Sequence, residues 1–343
     1  MSKDKLVSVI MPVYNAQEYL RDAIESMVDQ TYKNIELIII NDGSTDSSES
    51  IIKEYAKKYP QIIAVSRENR GLIKTLNEEI EMASGDYIVR MDADDISKIR
   101  RIEKQVEFME SRPDVMMSGC YFEILAEKTA TPERLEATYK LQDKINSYDN
   151  DMPQDLFMGY AILHATWIIR RELFNNIGVY SEQYSHCEDG ELLFRVLANN
   201  YKIGVVKERL YQYRIYEASK AGQDSHSNVK DDTMNYRLDF LVRKFGKEFS
   251  KKYAIWGYSD SGRNTQVEMQ KRFLNAEFVG YIDSFAETDS EDDVIFRPES
   301  LKDNVCDYVI IATHGGFRFA RNYLESIEWM AIDDYYSVVE TTR

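Results

Sequence analysis

Short continuous apolar runs alternate along this chain with stretches in which apolar residues recur every three or four positions. Leu6–Val13 is such a run, closed by Pro12 and Asn15, and predicts a strand buried on both faces. Tyr19, Leu20, Ala23, Ile24 and Met27 follow at helical spacing. The pair then repeats: Ile35–Ile40 with Ile51, Ile52 and Tyr55; Ile62–Val65 with Leu72–Met82; Tyr87–Met91 with Ile102, Val106 and Met109. Such alternation with short connections predicts a doubly wound α/β sheet, whose right-handed crossovers bring the polar strand ends to one rim. Those ends are Asn41–Asp46, Glu68–Gly71 and Asp92–Asp95. Ligands of open α/β sheets bind there, so Asp42, Arg70 and Asp94 are expected to converge. Gly43 permits a sharp turn, and Ser44, Thr45 or Asp46 can cap the helix that follows.

Beyond this repeat, Val115–Ile124 and Ile162–Ile169 read as further strands, the second containing His164. Residues 126–155 between them are polar and read as a mobile insertion or lid. Cys187-Glu188-Asp189-Gly190 precedes a helix carrying Leu192, Leu193, Val196 and Leu197. Tyr211–Tyr216 reads as a closing strand and 221–228 as a flexible tail. The alternation restarts at Tyr253–Trp256, with a helix to Leu274, strands at Phe278–Ile282 and Asp307–Thr313, and an acidic linker at Glu287–Asp293. The expected organisation is therefore a large α/β domain over 1–225, a helical linker over 226–250 and a small Rossmann-like α/β domain over 251–343. Gly257 and Gly262 could frame a phosphate-binding turn in the last of these. The middle glycine of the dinucleotide fingerprint is missing, so a structural or docking role is expected instead.

At 343 residues the chain is long enough for more than one core. Its formal net charge of -16 argues against a grip on nucleic acid and against broad adhesion to an anionic membrane. Cys120, Cys187 and Cys306 are odd in number and lack metal-ligand spacing, which fits reduced thiols in the cytoplasm. No secretory leader or bilayer-length apolar run is visible, so contact with the inner face of the plasma membrane would be peripheral.

The acidic cluster carries the sharpest chemical signal. Three carboxylates in the four residues Asp92-Ala93-Asp94-Asp95, just past a buried strand, repel one another unless a cation offsets the repulsion. Oxygen ligands of this density suit Mg2+ or Mn2+, whose open positions substrate phosphates fill. The plainer alternative is a charged loop with Asp95 as the anion at the start of the next helix. Glu188 and Asp189 have the same alternative, against a role in taking a proton. No G-x-G-x-x-G opens the first helix and no Walker lysine is present in this half, which disfavours dinucleotide enzymes and P-loop kinases.

Val9–Asn15, Asn41–Asp46, Asn69-Arg70-Gly71, Gly85–Asp95 and Glu188-Asp189, in that order, resemble the motifs of family 2 inverting glycosyltransferases with the GT-A fold, of the bacterial polysaccharide and glycoconjugate type. The resemblance covers roughly residues 5–217. It implies that Pro12, Val13, Tyr14 and Asp42 border the nucleotide base, and that Arg70 lies near the nucleotide. By the same resemblance Asp92 and Ala93 lie near the ribose and donor sugar, Asp94 holds the metal under the diphosphate, and Asp189 is the general base with Glu188 beside it. The implied reaction is metal-dependent transfer of a hexosyl group from a UDP-sugar to a saccharide, lipid-linked or protein-linked glycan acceptor. Tyr216 stands where many relatives carry a histidine near the metal, and Ile99 where many carry a proline. Tyrosine is a poor substitute ligand, leaving His226 or water as a third one; His164 matches a histidine common in the family. A nucleotide-sugar-binding scaffold without turnover and a nucleotidyltransferase are the competing readings. Association with a partner enzyme and homo-oligomerisation are compatible with the smaller domain.

Overall fold

A computed structural model describes residues 5–149, 162–184, 187–217, 227–286 and 293–339. These fall into two compact units, one ending at residue 217 and the other beginning at 227. The first opens with β1 (Val7–Val13), α1 (Leu20–Val28), β2 (Ile35–Asp42), α2 (Ser48–Lys58), β3 (Ile62–Arg67), α3 (Leu72–Met82) and β4 (Tyr87–Arg90). The apolar spacing has its expected outcome: α1 buries Leu20, Ala23, Ile24 and Met27. Strand β1 lies between β2 and β4 and pairs parallel with both. The carboxyl ends of these three strands therefore share one rim.

The chain continues through β5 (Ile96–Ser97), α4 (Arg101–Ser111), β6 (Val115–Ala126), α5 (Pro132–Ile145), β7 (Ile168–Arg170), α6 (Arg171–Ile177), α7 (Glu188–Ala198) and β8 (Lys202–Ile215). The resulting eight-stranded sheet has the order β3-β2-β1-β4-β7-β6-β8-β5. It is mixed, because β7 runs antiparallel to both β4 and β6, and β5 antiparallel to β8. Pairing of Ile96 with Gln212 brings the end of β8 beside the loop that follows β4.

Four expectations change. Residues 132–145, read as part of a mobile insertion, form helix α5, capped by the Thr131 hydroxyl accepting from Arg134 N–H. Its Gln142 and Asn146 at its C-terminal end accept from the Ile124 and Phe122 N–H groups of β6 at 2.9 and 3.1 Å. Only Ile145 of α5 is buried, so the helix writes no apolar stripe into the sequence. His164 lies not within a strand but in a 3-10 turn, His164–Thr166, and only Ile168–Arg170 continues as β7. Helix α7 begins at Glu188, so the acidic pair occupies its first turn instead of preceding it. Asp95 does not start the next helix, which begins at Arg101. Residues 150–155, the 221–226 part of the expected tail, His226 and residues 287–292 lie outside the described ones.

The second unit comprises α8 (Ser227–Phe245), β9 (Lys252–Trp256), α9 (Asp260–Arg272), β10 (Glu277–Ile282), β11 (Ile295–Phe296), β12 (Tyr308–Ile311), α10 (Phe317–Ser326) and β13 (Tyr335–Ser337). Its five strands are parallel, in the order β11-β10-β9-β12-β13. Helix α8 belongs to this unit, where Asp239 pairs with Arg272 of α9 at 2.9 Å. A Cβ on Gly262 would stand 2.1 Å from the Gly257 carbonyl oxygen, so close packing of the turn accounts for that glycine. The Asp283 carboxylate is engaged by the Tyr258, Phe285 and Ala286 N–H groups. Among the described residues no helix is long and apolar enough to cross a membrane.

Beneath the rim of the first sheet lies Glu79 of α3, fully buried, its Oε1 accepting from Ile40 N–H at 3.3 Å. Burial pushes its carboxyl well above the usual range; the charge of Arg90, N–H groups of Ile40 and Met11, and the charge of Arg67 oppose the shift. A carboxyl whose folded pKa exceeds its unfolded one supports the fold fully below the unfolded pKa and loses that support as pH rises through the folded one. Glu79→Gln should therefore gain stability relative to the natural chain between pH 5 and pH 8, measured by urea unfolding. A constant difference across that window would show that Glu79 is ionised throughout.

Candidate active site

Three loops meet on the rim. Asn15, in the left-handed region at φ 50°, donates its N–H to Ser44 Oγ and accepts from Thr45 N–H at 2.8 Å through its side chain. Asp46, one residue before the Ser47 cap position of α2, accepts from Ser48 N–H at 2.9 Å, and its second oxygen accepts from Gln17 N–H. Gly43 has φ +73°, and a Cβ there would lie 2.6 Å from Asn69 N, so the loop after β2 touches the loop after β3 only as glycine. Asp42 fastens that contact. Its carboxylate accepts from Arg70 N–H at 2.7 Å, from Gly71 N–H at 2.9 Å and from the Arg67 guanidinium. An ionised carboxylate has roughly four acceptor positions, so about one remains for a ligand. Tyr14 is 55% exposed beside this point, while Val13 is buried. The Arg70 side chain is exposed, and only its backbone touches Asp42.

The acidic triplet sits at the end of β4. Asp92, Asp94 and Asp95 bring carboxylate oxygens within 4.8 Å of one another. Asp95 is buried, and both its oxygens are engaged by β8: Oδ1 by Arg214 N–H and Oδ2 by the Tyr211 hydroxyl, each at 2.7 Å. Burial and then the charges of Asp94 and Asp92 push its carboxyl well up, against those two hydrogen bonds. Asp94 is raised for the same first two reasons, burial and Asp92, and the Tyr216 hydroxyl, donating to its Oδ2 at 2.9 Å, opposes the rise. Asp92 Oδ1 is paired with Arg90 Nη2 at 2.5 Å. Asp92 Oδ2 and Asp94 Oδ1 accept from no other residue among the described ones. Ala93 is buried between them in sequence.

Asp189 and Glu188 stand in the first turn of α7, over the positive end of the helix dipole. Arg195, on the same helix, pairs with Glu191 and donates to the carbonyls of Ile177 and Val179 at 2.6 and 2.8 Å, which fixes α7 against the segment leading to Tyr180. The Tyr180 hydroxyl is 2.7 Å from His164 Nε2. Burial pushes the Tyr180 phenol up, Arg90 opposes, and the carboxylates of Glu188, Asp189 and Asp92 all push the same way. One buried phenol thus senses Asp92 from β4 and Asp189 from α7. His164 packs against Trp167 and Tyr180, with ring centroids 4.5 and 5.5 Å away.

A sequence model of the family described as Glycosyl transferase family 2 matches residues 8–178. An uncharacterized glycosyltransferase of Haemophilus influenzae is 33% identical over 248 residues, covering 70% of this chain and 76% of that protein. The chain belongs to glycosyltransferase family 2. The glycosyltransferase GlyA of Streptococcus pneumoniae is 28% identical over 80% of this chain, which spans only 42% of that longer protein. In fold, this glycosyltransferase is similar to residues 1–349 of Staphylococcus aureus TarS, solved in complex with UDP. The TM-score is 0.54 and the identity 17%, over 79% of this chain and 71% of that one. That likeness supports the GT-A architecture.

Several residues at the site of this glycosyltransferase escape a reading of motifs. Arg67, Arg90, Tyr180, Tyr211 and Arg214 all touch or sense the rim carboxylates, yet each lies in an apolar run or outside the loops. A charged residue inside a buried strand, as Arg90 is, was the one available signal. The described residues contain no hydrogen bond or ion pair between Asp42 and the triplet; Glu79 lies between them, sensed by both Arg67 and Arg90.

The grip of Asp95 on β8 should be measurable. Asp95→Ala leaves the buried Arg214 N–H without its acceptor and is expected to cost about 1–3 kcal/mol in urea unfolding. Because Tyr211→Phe removes the other half of the same contact, the double variant should lose less than the sum of the two. Strict additivity would mean that the two groups do not act together.

Proposed function

We propose that this glycosyltransferase moves a hexosyl group from a UDP-sugar to a hydroxyl of a glycan or glycoconjugate, with inversion and with a bound Mg2+ or Mn2+. The observation that carries the reading is the cluster of Asp92, Asp94 and Asp95, whose carboxylate oxygens lie within 4.8 Å of one another at the end of β4. The charges of Asp92 and Asp189, which both push the buried Tyr180 phenol up, support Asp189 as the acid that serves it. The donor set fits a hard cation. Asp95 has both oxygens committed, whereas Asp92 and Asp94 each keep one oxygen that no other residue engages. One or two carboxylates, completed by water and substrate phosphates, is the usual provision for Mg2+. Asp94 and Asp92 would hold the ion; Tyr216 serves as the hydrogen-bond donor that orients Asp94. Bound there, the ion supplies positive charge to the departing diphosphate.

The chain's own groups do the rest. Tyr14, Pro12 and Val13 form the edge against which the base rests, and Asp42 offers its remaining acceptor position to the base N–H. Arg70 extends toward the nucleotide from the loop after β3, whose backbone holds Asp42. Asp189 takes the proton of the acceptor hydroxyl as its oxygen bonds to the anomeric carbon. The bond from that carbon to the diphosphate oxygen breaks on the opposite face, and UDP leaves with the electron pair. UDP as the donor nucleotide also accords with the TarS structures, which were solved with UDP and with UDP-GlcNAc.

With purified protein and UDP-hexose, Asp189→Asn should lower transfer by roughly 10²–10⁴-fold, the usual range for a general base, while UDP binding stays near normal. Loss of UDP binding in that variant would make Asp189 a structural residue. Asp94→Ala and chelation should each abolish transfer, with manganese restoring only the chelated sample. Turnover surviving both treatments would remove the cation from the scheme.

A further inference from the structure

A cavity of about 820 Å³ opens between α3 and α6, away from the acidic triplet. Ile80, Phe174 and Val179 are its apolar lining, Val179 being 37% exposed. Its rim is polar, carrying Arg70, Lys74, Glu81, Arg171, Asn175 and Glu182. Among the described residues the guanidiniums of Arg70 and Arg171 and the amide of Asn175 have no protein partner. Lys74 and Glu182 face each other at 3.7 Å, both largely exposed. Elsewhere in the first unit guanidiniums are generally engaged, as in Arg21 with Glu54, Arg112 with Asp114 and Arg195 with Glu191. Arg70 is already assigned to the nucleotide, so Arg171 and Asn175 are the unengaged donors that a further ligand of this cavity would meet.

The balance of charge decides which kind. Arg70, Lys74 and Arg171 face Glu78, Glu81 and Glu182, and Glu78 is already paired with Arg67. With Glu78 taken by Arg67, three cations face two acids, a surplus too small to mark a polyanion site. Donors and acceptors interleaved with apolar side chains suit a molecule that has hydroxyls on its edges and C–H groups on its faces. A saccharide is such a molecule, and the volume lies in the range of about 300–1,000 Å³ typical of small-molecule sites. The cavity also borders the reaction site on two sides. Arg70 is the residue whose N–H holds Asp42. Asn77, in the cavity wall, exchanges two hydrogen bonds with the Tyr180 backbone at 2.9 and 3.0 Å, and the Tyr180 phenol is pushed up by the charges of Glu188, Asp189 and Asp92.

We propose that the cavity between α3 and α6 binds an uncharged stretch of the acceptor glycan, several sugar units from the reacting hydroxyl. This rests on the glycosyltransferase reading above. Arg171 and Asn175 on α6 and Lys74 on α3 are its hydroxyl-binding groups.

The test uses the full chain with cellotriose, β-1,4-galactotriose and chitotriose as neutral probes and trigalacturonate as the anionic one. Binding is read by saturation-transfer NMR and calorimetry, beside the thermal shift given by UDP. At least one neutral trisaccharide should bind, and Arg171→Glu and Lys74→Glu should each weaken it tenfold or more, with the UDP shift unchanged. Asn175→Ala should weaken it several-fold. The proposal is overturned if no neutral probe binds, if only trigalacturonate does, or if the charge reversals leave the neutral Kd where it was. Absence of a UDP shift in the natural chain would count against the donor assignment, a separate failure.

Discussion

Carboxylates crowded onto the ends of adjacent parallel strands can persist only if something beneath them offsets their repulsion, and here that is a set of buried guanidiniums. Arg67 holds Asp42, Arg90 holds Asp92, and the Arg214 backbone and side chain hold Asp95 and the Asp94 carbonyl. Glu79 lies below, sensing both Arg67 and Arg90. Removing one partner from such a buried pair costs on the order of 3–5 kcal/mol, because the other charge is left in a medium that cannot solvate it. The match across this layer is incomplete: Glu79 Oε2 is buried without a partner, and burial with the neighbouring acids still pushes Asp94 and Asp95 up.

That layer also explains how a loop can be stiff without regular structure. The segment from Asp92 to Asp95 has no repeating backbone hydrogen bonds, yet Tyr211, Arg214 and Tyr216 of the β8 region each bind one of its acids. Arg101 adds a second tie: fully buried, it donates to the carbonyls of Arg90 and Ala165 at 2.9 Å and lies over the Tyr211 ring. Groups that must meet a developing charge without reorganising are best fixed in this way before a substrate arrives. The two remaining loops are stitched by Asn15, Ser44 and Asp46. Family membership and the GT-A fold follow from the same first unit, whereas the five-stranded second unit carries its own parallel sheet and its own core.

Much of this was legible in the chain alone, and for a common reason. Strands buried on both faces and amphipathic helices impose periods of apolar residues that any reader can count, so β1 to β4 and α1 to α4 stand out, as does the restart at Tyr253. Polar residues placed where strands end announce a ligand rim, and the order of those motifs announces the family. Helix α5 was hidden because it meets the sheet through Gln142 and Asn146 instead of an apolar stripe. His164 was misread as a strand residue because a buried 3-10 turn is as apolar as a strand.

What the sequence determined by itself was therefore the alternation of elements, the rim and the list of acids. Which carboxylate oxygens are already taken by the protein was decided only in three dimensions. The spacing of apolar and polar residues does not separate Asp95 from Asp92 and Asp94, yet β8, more than one hundred residues away in sequence, takes both oxygens of Asp95, while Asp92 and Asp94 each keep one open. Likewise α7, which carries Asp189, is clamped by Arg195 to the carbonyls of Ile177 and Val179, in the segment before it. Local pattern follows from what each residue needs of solvent; the pairing of charges depends on which distant strand supplies the partner, and that is settled by the packing of the whole sheet.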